Sequence, residues 1–358
     1  MDSKTVLVTG GAGFIGSHLI VALAVRYPGW RIINVDKLDY CSSLKNLRPL
    51  ENANTYKFIK GDICNQCFIN HLFSTENVAI VFHFAAQTHV ENSFLCPSKF
   101  MHVNSEGTRV LLRAAFEAGV QKFIYVSTDE VYGDSLDKAF DELCPIRPTN
   151  PYSTSKAAAE GIVMSYWEKH KFPVIITRSN NVYGPRQYHE KVIPRFLHLL
   201  RQDQKCTIQG TGLQSRHFLH VDDVTEAFLR LMEKGTLGEI YNIGTSFEMP
   251  IIQLARELIR TVKNASNEEL DDWLMFVDDR PVNDLRYPLV SDKLHRLGWK
   301  PTVTWQEGIR RTIQWYEENP DFWPVSGKEP QNQSLAVESR CHDVMETKDT
   351  LPISASDS

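Results

Sequence analysis

The run Thr9-Gly10-Gly11-Ala12-Gly13-Phe14-Ile15-Gly16 follows a short apolar, β-branched stretch, Thr5–Val8, and opens a run with helical spacing. Glycines at this spacing, between a strand and a helix, leave a chain few alternatives. Gly10 permits a tight turn, Gly13 lets the backbone approach a pyrophosphate without a side chain, and Gly16 allows helix and strand to pack closely. Phe14 and Ile15 begin the helix, whose N-terminal N–H groups would face the pyrophosphate charge. A glycine-rich turn without a ligand is the bland alternative, and strand, glycines and helix together argue against it. Asp36 ends the next strand, where a carboxylate accepts hydrogen bonds from an adenosine ribose and repels a 2′-phosphate. This favours NAD over NADP, a preference tempered by the neighbouring Lys37.

Beyond this loop, short β-branched runs alternate with longer amphipathic ones, the pattern of a parallel sheet with crossover helices. Strands are predicted at Thr5–Val8, Arg31–Val35, Tyr56–Ile59, Ala79–Phe84, Phe123–Ser127 and Val174–Thr177. Helices are predicted at Phe14–Ala24, Ser105–Ala118 and Tyr152–Lys169, then near Val192–Leu200, Val221–Glu233, Ile251–Val262 and Trp305–Tyr316. The expected fold is α/β: a Rossmann-type doubly wound parallel sheet with a smaller C-terminal α/β substrate-binding lobe. Residues 1–185 form the dinucleotide-binding domain, with later segments returning to it; residues 186–322 form mainly the lobe. Residues 323–358, rich in Ser, Glu, Lys, Gln and Pro, are expected to be a flexible tail. Within the first domain, Asp62 and Ile63 could frame the adenine, and Ala85 and Ala86 could pass close to the pyrophosphate, although ordinary strand-end turns would look the same.

Composition excludes more than it identifies. A net charge of −5 offers no general attraction for nucleic acid or acidic lipid, so neither partner is expected. No apolar run reaches membrane-spanning length and the N-terminus lacks a secretory pattern, so the expected compartment is the cytoplasm. Seven scattered cysteines suit free thiols in a reducing environment. Cys64-x-x-Cys67 has no second pair at zinc-finger spacing and reads as two incidental thiols. His83 lies in an apolar strand and reads as a hydrogen-bonded core residue, and no metal is expected.

Tyr152 and Lys156 stand four residues apart at the start of a helix, so they project from one face. Alone, such a pair is more often a solvated helix face. After a nucleotide fingerprint it becomes a chemical unit: a cation near the phenol lowers a pKa that starts near ~10 and makes Tyr152 a base for a sugar hydroxyl. Gly10-x-x-Gly13-x-x-Gly16 with Tyr152-x-x-x-Lys156 resembles the extended short-chain dehydrogenase/reductase superfamily. The resemblance implies that Tyr152 removes a hydroxyl proton, Lys156 holds the cofactor ribose and tunes Tyr152, and Thr128 completes the site.

Ser127-Thr128-Asp129-Glu130-Val131-Tyr132-Gly133 places two carboxyl groups directly after that threonine, and two acids with separated pKa values can serve as acid and base. With Asn150-Pro151-Tyr152-Ser153-Thr154-Ser155-Lys156, Asn181-Val182-Tyr183-Gly184-Pro185 and Asp279-Arg280-Pro281, the run is similar to the dTDP-glucose 4,6-dehydratase family over about residues 4 to 318. The resemblance implies a redox-neutral lyase acting on dTDP-glucose or UDP-glucose: Tyr152 deprotonates O4, NAD takes and returns a hydride, Glu130 removes the C5 proton, and Asp129 protonates the departing C6 hydroxyl. It also implies substrate contacts from Thr88, Thr128, Asn181, Lys191, Arg216, Asn242 and Arg280, and a homodimer. Val282-Asn283 stands where bacterial members usually carry Gly-His, which leaves the nucleotide base open. A UDP-sugar 4-epimerase or UDP-glucuronate decarboxylase would use the same NAD and Tyr152, but needs no acid at position 129. An NAD-binding regulatory protein without turnover is the alternative from another class.

Overall fold

Parallel strands cannot be joined by tight hairpins, so the amphipathic runs between the β-branched ones must cross over the sheet. A computed structural model describes residues 3–323 and shows this arrangement. β1 (Thr5–Thr9), α1 (Phe14–Arg26), β2 (Arg31–Asp36), β3 (Tyr56–Lys60) and α2 (Gln66–Thr75) build the first half. β4 (Ile80–His83) is followed by α3 (Val90–Leu95), α4 (Pro97–Phe100), a π-helical turn Met101–Glu106 and α5 (Gly107–Glu117). β5 (Lys122–Thr128), α6 (Pro151–His170) and β6 (Val174–Ser179) complete the run. The predicted elements exist, with ends displaced by one or two residues, as fraying helix ends allow.

The second half alternates between two layers. β7 (Asn181–Tyr183), α7 (Val192–Arg201), β8 (Cys206–Gln209) and β9 (Ser215–His220) leave the sheet. α8 (Val221–Lys234) and β10 (Ile240–Ile243) return to it. β11 (Glu248–Pro250), α9 (Ile251–Lys263), β12 (Leu274–Val277), α10 (Asp292–Arg296) and α11 (Trp305–Glu318) finish the chain. The large sheet has the order β10-β6-β5-β4-β1-β2-β3, every pair parallel. The lobe carries a three-stranded sheet, β11-β9-β7, and the pair β12-β8.

Three apolar cores follow from this layering. Val6, Val8, Ile32 and Phe82 face α1 and α8 on one side of the large sheet, through Leu19, Ile20, Phe228 and Leu231. Leu7, Ile33, Val81 and Tyr125 face α2, α5 and α6 on the other. The lobe has its own core of Phe196, Leu200, Leu254, Leu258 and Trp305. Because all seven strands are parallel, their carboxyl ends meet at one edge; Thr9 pairs with both Val35 and His83, and Thr128 with Ser179. The strand order reverses between β1 and β4, the place where doubly wound sheets open a crevice.

His83 is buried as expected, with Thr9 Oγ1 at 2.7 Å and Thr108 Oγ1 at 2.9 Å on its two nitrogens, and burial pushes its pKa down to about 3. Cys41, Cys64, Cys67, Cys144 and Cys206 are free thiols, whereas Cys96 is disulfide-bonded, which corrects the expectation of thiols throughout. Among the described residues no helix is long and apolar enough to cross a membrane, and no cluster of ligands could hold a metal ion. Of the expected tail, residues 323–358, Trp323 is instead buried in the lobe core, and the rest lies outside the described residues.

Glu160 of α6 and Arg178 of β6 form a bidentate ion pair with both side chains buried, and the guanidinium also stacks on Tyr132. Removing one partner leaves an uncompensated buried charge. Glu160→Ala is expected to destabilise the fold by about 3–5 kcal/mol, measured as a lower urea midpoint at unchanged slope. A change under about 1 kcal/mol would show that the pair contributes little to stability.

Candidate active site

The glycine loop has the geometry its sequence requires. Gly10 has φ +69°, and a Cβ there would stand 2.6 Å from the Ala85 nitrogen of the neighbouring strand end. A Cβ on Gly16 would stand 2.6 Å from the Gly10 carbonyl oxygen. Gly13 is the N-cap of α1 and brings no side chain to the helix end, leaving its N–H groups open. Asp36 accepts hydrogen bonds from the N–H groups of Ala12 and Leu38 and from the Ser42 hydroxyl, so it braces the loop it serves; burial raises its pKa. Lys37 lies 3.6 Å from Asp39 and 3.8 Å from Asp62, which neutralise the charge that could have drawn a 2′-phosphate.

One continuous cleft runs from this loop to the carboxyl ends of β5 and β6. Gly10, Gly13, Phe14, Ile15, Gly16, Asp36, Lys37, Asp62, Ile63, Ala85 and Ala86 line its first part. Thr88, Thr128, Asp129, Glu130, Tyr152, Lys156, Asn181 and Lys191 line the rest. Thr128 ends β5, and a 3-10 turn, Asp129–Tyr132, turns both acids toward the cleft. Asn150 caps α6: its Oδ1 accepts the Ser153 N–H at 2.8 Å, while its Nδ2 donates to Glu130 Oε2 at 2.9 Å. One side chain therefore starts the helix that carries Tyr152 and holds the base candidate.

The two acids are not equivalent. Asp129 is only 2% exposed, and burial, reinforced by the Glu130 charge, pushes its pKa up to about 7. Thr128 donates to its Oδ1 at 3.2 Å and Asn180 to its Oδ2 at 2.9 Å, which oppose that rise. Tyr152 departs from expectation: burial and the Glu130 charge raise its pKa, and the Thr128 hydroxyl offsets this only in part. Lys156 is not among the groups that lower it. Its Nζ donates to the Val126 carbonyl at 2.5 Å above the Tyr125 ring, and burial lowers its own pKa to about 7.

Three predicted substrate contacts stand outside the residues that line this cleft, although the Arg216 charge still acts on Asp129. Asn242 is 0% exposed; its Nδ2 donates to the carbonyls of Phe140 and Val290 and its Oδ1 accepts the Tyr132 hydroxyl, so it closes the sheet edge. Arg216 donates to the carbonyls of Ser215 and Asp284 and to Asn283, and Arg280 also donates to Asn283; neither lines the cleft. Both guanidinium groups hold the Asn283 side chain, Arg280 from within its own loop and Arg216 from a distant strand. Conversely, Asn180, Gln87, Asp39, Ser42, Tyr188 and Glu190 line the cleft without having been singled out. Asn180 had a signal only in its place: it adjoins Asn181, just past the predicted strand that ends beside the acids. Gln87 donates to Asp39, and its backbone N–H and carbonyl pair with the side-chain amide of Asn104 in the π-helical turn, contacts that join segments apart in sequence.

This site and fold have close counterparts. The family model described as GDP-mannose 4,6 dehydratase matches residues 7–312. A dTDP-D-glucose 4,6-dehydratase of Bos taurus is 62% identical over 327 residues, covering 91% of this chain and 92% of the relative. The Homo sapiens protein of the same name is 61% identical over 322 residues, covering 90% and 92%. Among solved structures, the dTDP-glucose 4,6-dehydratase DesIV of Streptomyces venezuelae, with NAD and TYD bound, has a TM-score of 0.85 at 36% identity, covering 90% of this chain and 99% of that one. The chain belongs to the GDP-mannose 4,6 dehydratase family of extended short-chain dehydrogenase/reductases. Within it, the chain is a nucleotide-sugar 4,6-dehydratase, an enzyme of the hydro-lyase class.

A carboxyl group whose folded pKa lies above its unfolded value near ~4 binds a proton that the unfolded chain has lost. For Asp129 this holds between about pH 4 and about 7, so its contribution to stability is full below that window and lost as pH rises through it. Asp129→Asn is expected to flatten the decline in urea stability between about pH 5 and about pH 8. Parallel pH profiles for the two proteins would place the proton elsewhere.

Proposed function

We propose that the chain removes water from dTDP-glucose, or from UDP-glucose, to give the 4-keto-6-deoxy sugar, with the roles set by the unequal acids of the cleft. The observation that carries this reading is a buried Asp129, its pKa pushed up to about 7 by burial and the Glu130 charge, beside Glu130 and Tyr152 in one cleft. Elimination needs both an acid and a base on adjacent carbons, and like charges this close separate their proton affinities.

The cofactor is NAD, and the residues present fit it: an open helix end at Gly13, a close backbone approach at Gly10, a ribose-facing Asp36 and a neutralised Lys37. When bound, NAD would supply the hydride acceptor for C4 and return the same hydride to C6 at the end of the cycle. Tyr152 takes the O4 proton, with Thr128 donating to the phenolate. The new C4 ketone acidifies the C5 proton, which passes to Glu130 under the hold of Asn150. Asp129 gives its proton to the C6 hydroxyl, the C6–O bond breaks, and water leaves. Glu130 then returns a proton to C5. Lys156, anchored on Val126, positions the ribose rather than tuning the phenol.

The second lobe binds the nucleotide diphosphate, with Asn181, Lys191 and Thr88 on the cleft wall; the Lys191 Nζ donates to the Thr88 carbonyl at 2.8 Å, tying lobe to domain. Arg216 and Arg280 shape this wall from behind through Asn283. The working form is a cytoplasmic homodimer; the dimer is supported by the exposed apolar residues Met101 and Phe116 on one continuous helical stretch, and the compartment by five free thiols beside the one disulfide-bonded cysteine, Cys96. Light scattering on the purified protein checks the dimer.

Incubation with dTDP-glucose, UDP-glucose and GDP-mannose, followed by mass spectrometry, tests the reaction. The expected product has lost one water and gained a keto group; galactose or pentose nucleotides instead would overturn the reading. Asp129→Asn is expected to slow elimination by on the order of 10²–10⁴-fold while C4 oxidation, followed by nicotinamide absorbance, persists. Tyr152→Phe is expected to suppress oxidation itself. Because the acid must be protonated, elimination is expected to be fastest below about pH 7 and to fall above it.

A further inference from the structure

Asn180 stands where the chain leaves the large sheet. β6 ends at Ser179, and β7 begins at Asn181 in the lobe sheet. The Asn180 backbone N–H donates to the Ile243 carbonyl at 3.1 Å, and its Oδ1 accepts the Thr245 N–H at 3.1 Å, so it also touches the second crossing, from β10 to β11. Its Nδ2 donates to the Tyr287 carbonyl at 3.0 Å and to Asp129 Oδ2 at 2.9 Å. Gly244 leaves the room required, since a Cβ there would lie 2.9 Å from Asn180 Oδ1.

These contacts settle the orientation of the amide. A backbone N–H cannot accept and a carbonyl cannot donate, so the amide oxygen must face Thr245 and its nitrogen must face Tyr287 and Asp129. An amide nitrogen cannot accept a proton from a carboxylic acid. Asp129 Oδ2 is thus an acceptor in both protonation states, and the acid proton belongs on Oδ1, whose partner Thr128 Oγ1 at 3.2 Å is a hydroxyl that donates to the carboxylate and can turn to accept from the acid.

We propose that Asn180 is a positioning residue for the acid step: it keeps Asp129 Oδ2 as the acceptor, confines the transferable proton to Oδ1, and steadies the carboxylate left behind. This rests on the reading of Asp129 as the acid. In the step itself the Asp129 Oδ1–H bond breaks, an O–H bond forms on the C6 oxygen, and the C6–O electron pair leaves with water. The C5 proton goes to Glu130, and Asp129 ends as a carboxylate bonded to Asn180. Other groups facing Asp129 are Glu130 in the same turn, which favours its neutral form, Arg216 of β9, which favours the ionised form, and the Tyr152 phenol of α6.

The test uses the NAD-loaded enzyme and two readouts. The infrared carboxylic-acid band that disappears in Asp129→Asn is followed through pH in the wild type, in Asn180→Ala and in the nearly isosteric Asn180→Leu. Loss of the donor is expected to move its titration upward by about one to two pH units, the size of one hydrogen bond to a charged group. With dTDP-glucose, the same variants are expected to slow elimination by on the order of tenfold or more while C4 oxidation persists. In an Asp129→Asn background, Asn180→Ala is expected to slow elimination no further. An unmoved band overturns the proposal. A shifted band in an enzyme that forms no dehydrated product supports the hold on Asp129 and overturns the assigned reaction instead. Should both variants lose NAD or unfold, Asn180→Ser, which keeps a short donor, is titrated; a smaller upward shift supports the proposal and no shift overturns it.

Discussion

Burial of an acid beside another acid is the constraint from which the chemistry of this cleft follows. Asp129 sits at the closed end of a crevice made by parallel strand ends, where desolvation and the Glu130 charge both favour its neutral form. Asn180 and Thr128 oppose them, and the balance leaves the group near neutrality in proton affinity. A proton donor that recharges at neutral pH needs this compromise; a fully solvated aspartate would already be ionised.

The scaffold makes the compromise possible. Seven parallel strands bring their carboxyl ends to one edge, so the glycine loop after β1, the acids after β5 and the Tyr152 helix after Asn150 share one cleft. β6 and β10 then each pass into the lobe at neighbouring points, through Asn180 and Gly244-Thr245. The buried Glu160–Arg178 pair ties α6 to β6, joining the helix of Tyr152 to the strand that leads to Asn180.

Much of this was legible from residue order because the signals are local. Strand, glycines and helix lie within a dozen residues, and Tyr152 with Lys156 spans one helical turn. Asp129 and Glu130 follow their strand directly, so a correct strand end places them. The contacts that residue order could not place share one cause. Arg216, Asn242 and Arg280 carry groups suited to phosphate or sugar, but whether a guanidinium or amide faces solvent or a neighbouring carbonyl depends on loops remote in sequence, such as Asn283–Leu285 and Phe140. Lys156 shows the same limit at short range: helical spacing put it on the face of Tyr152, but the Val126 carbonyl captured its ammonium.

Residue order therefore sets the sheet, the dinucleotide loop and the identity of the reacting side chains, because periodicity, glycine conformation and strand ends act over a few residues. Tertiary packing alone decides how far each acid is desolvated, which donors meet each of its oxygens, and which polar groups are spent on holding loops. Those outcomes depend on desolvation and on hydrogen-bond partners from distant segments, and neither is written in any short stretch of the chain.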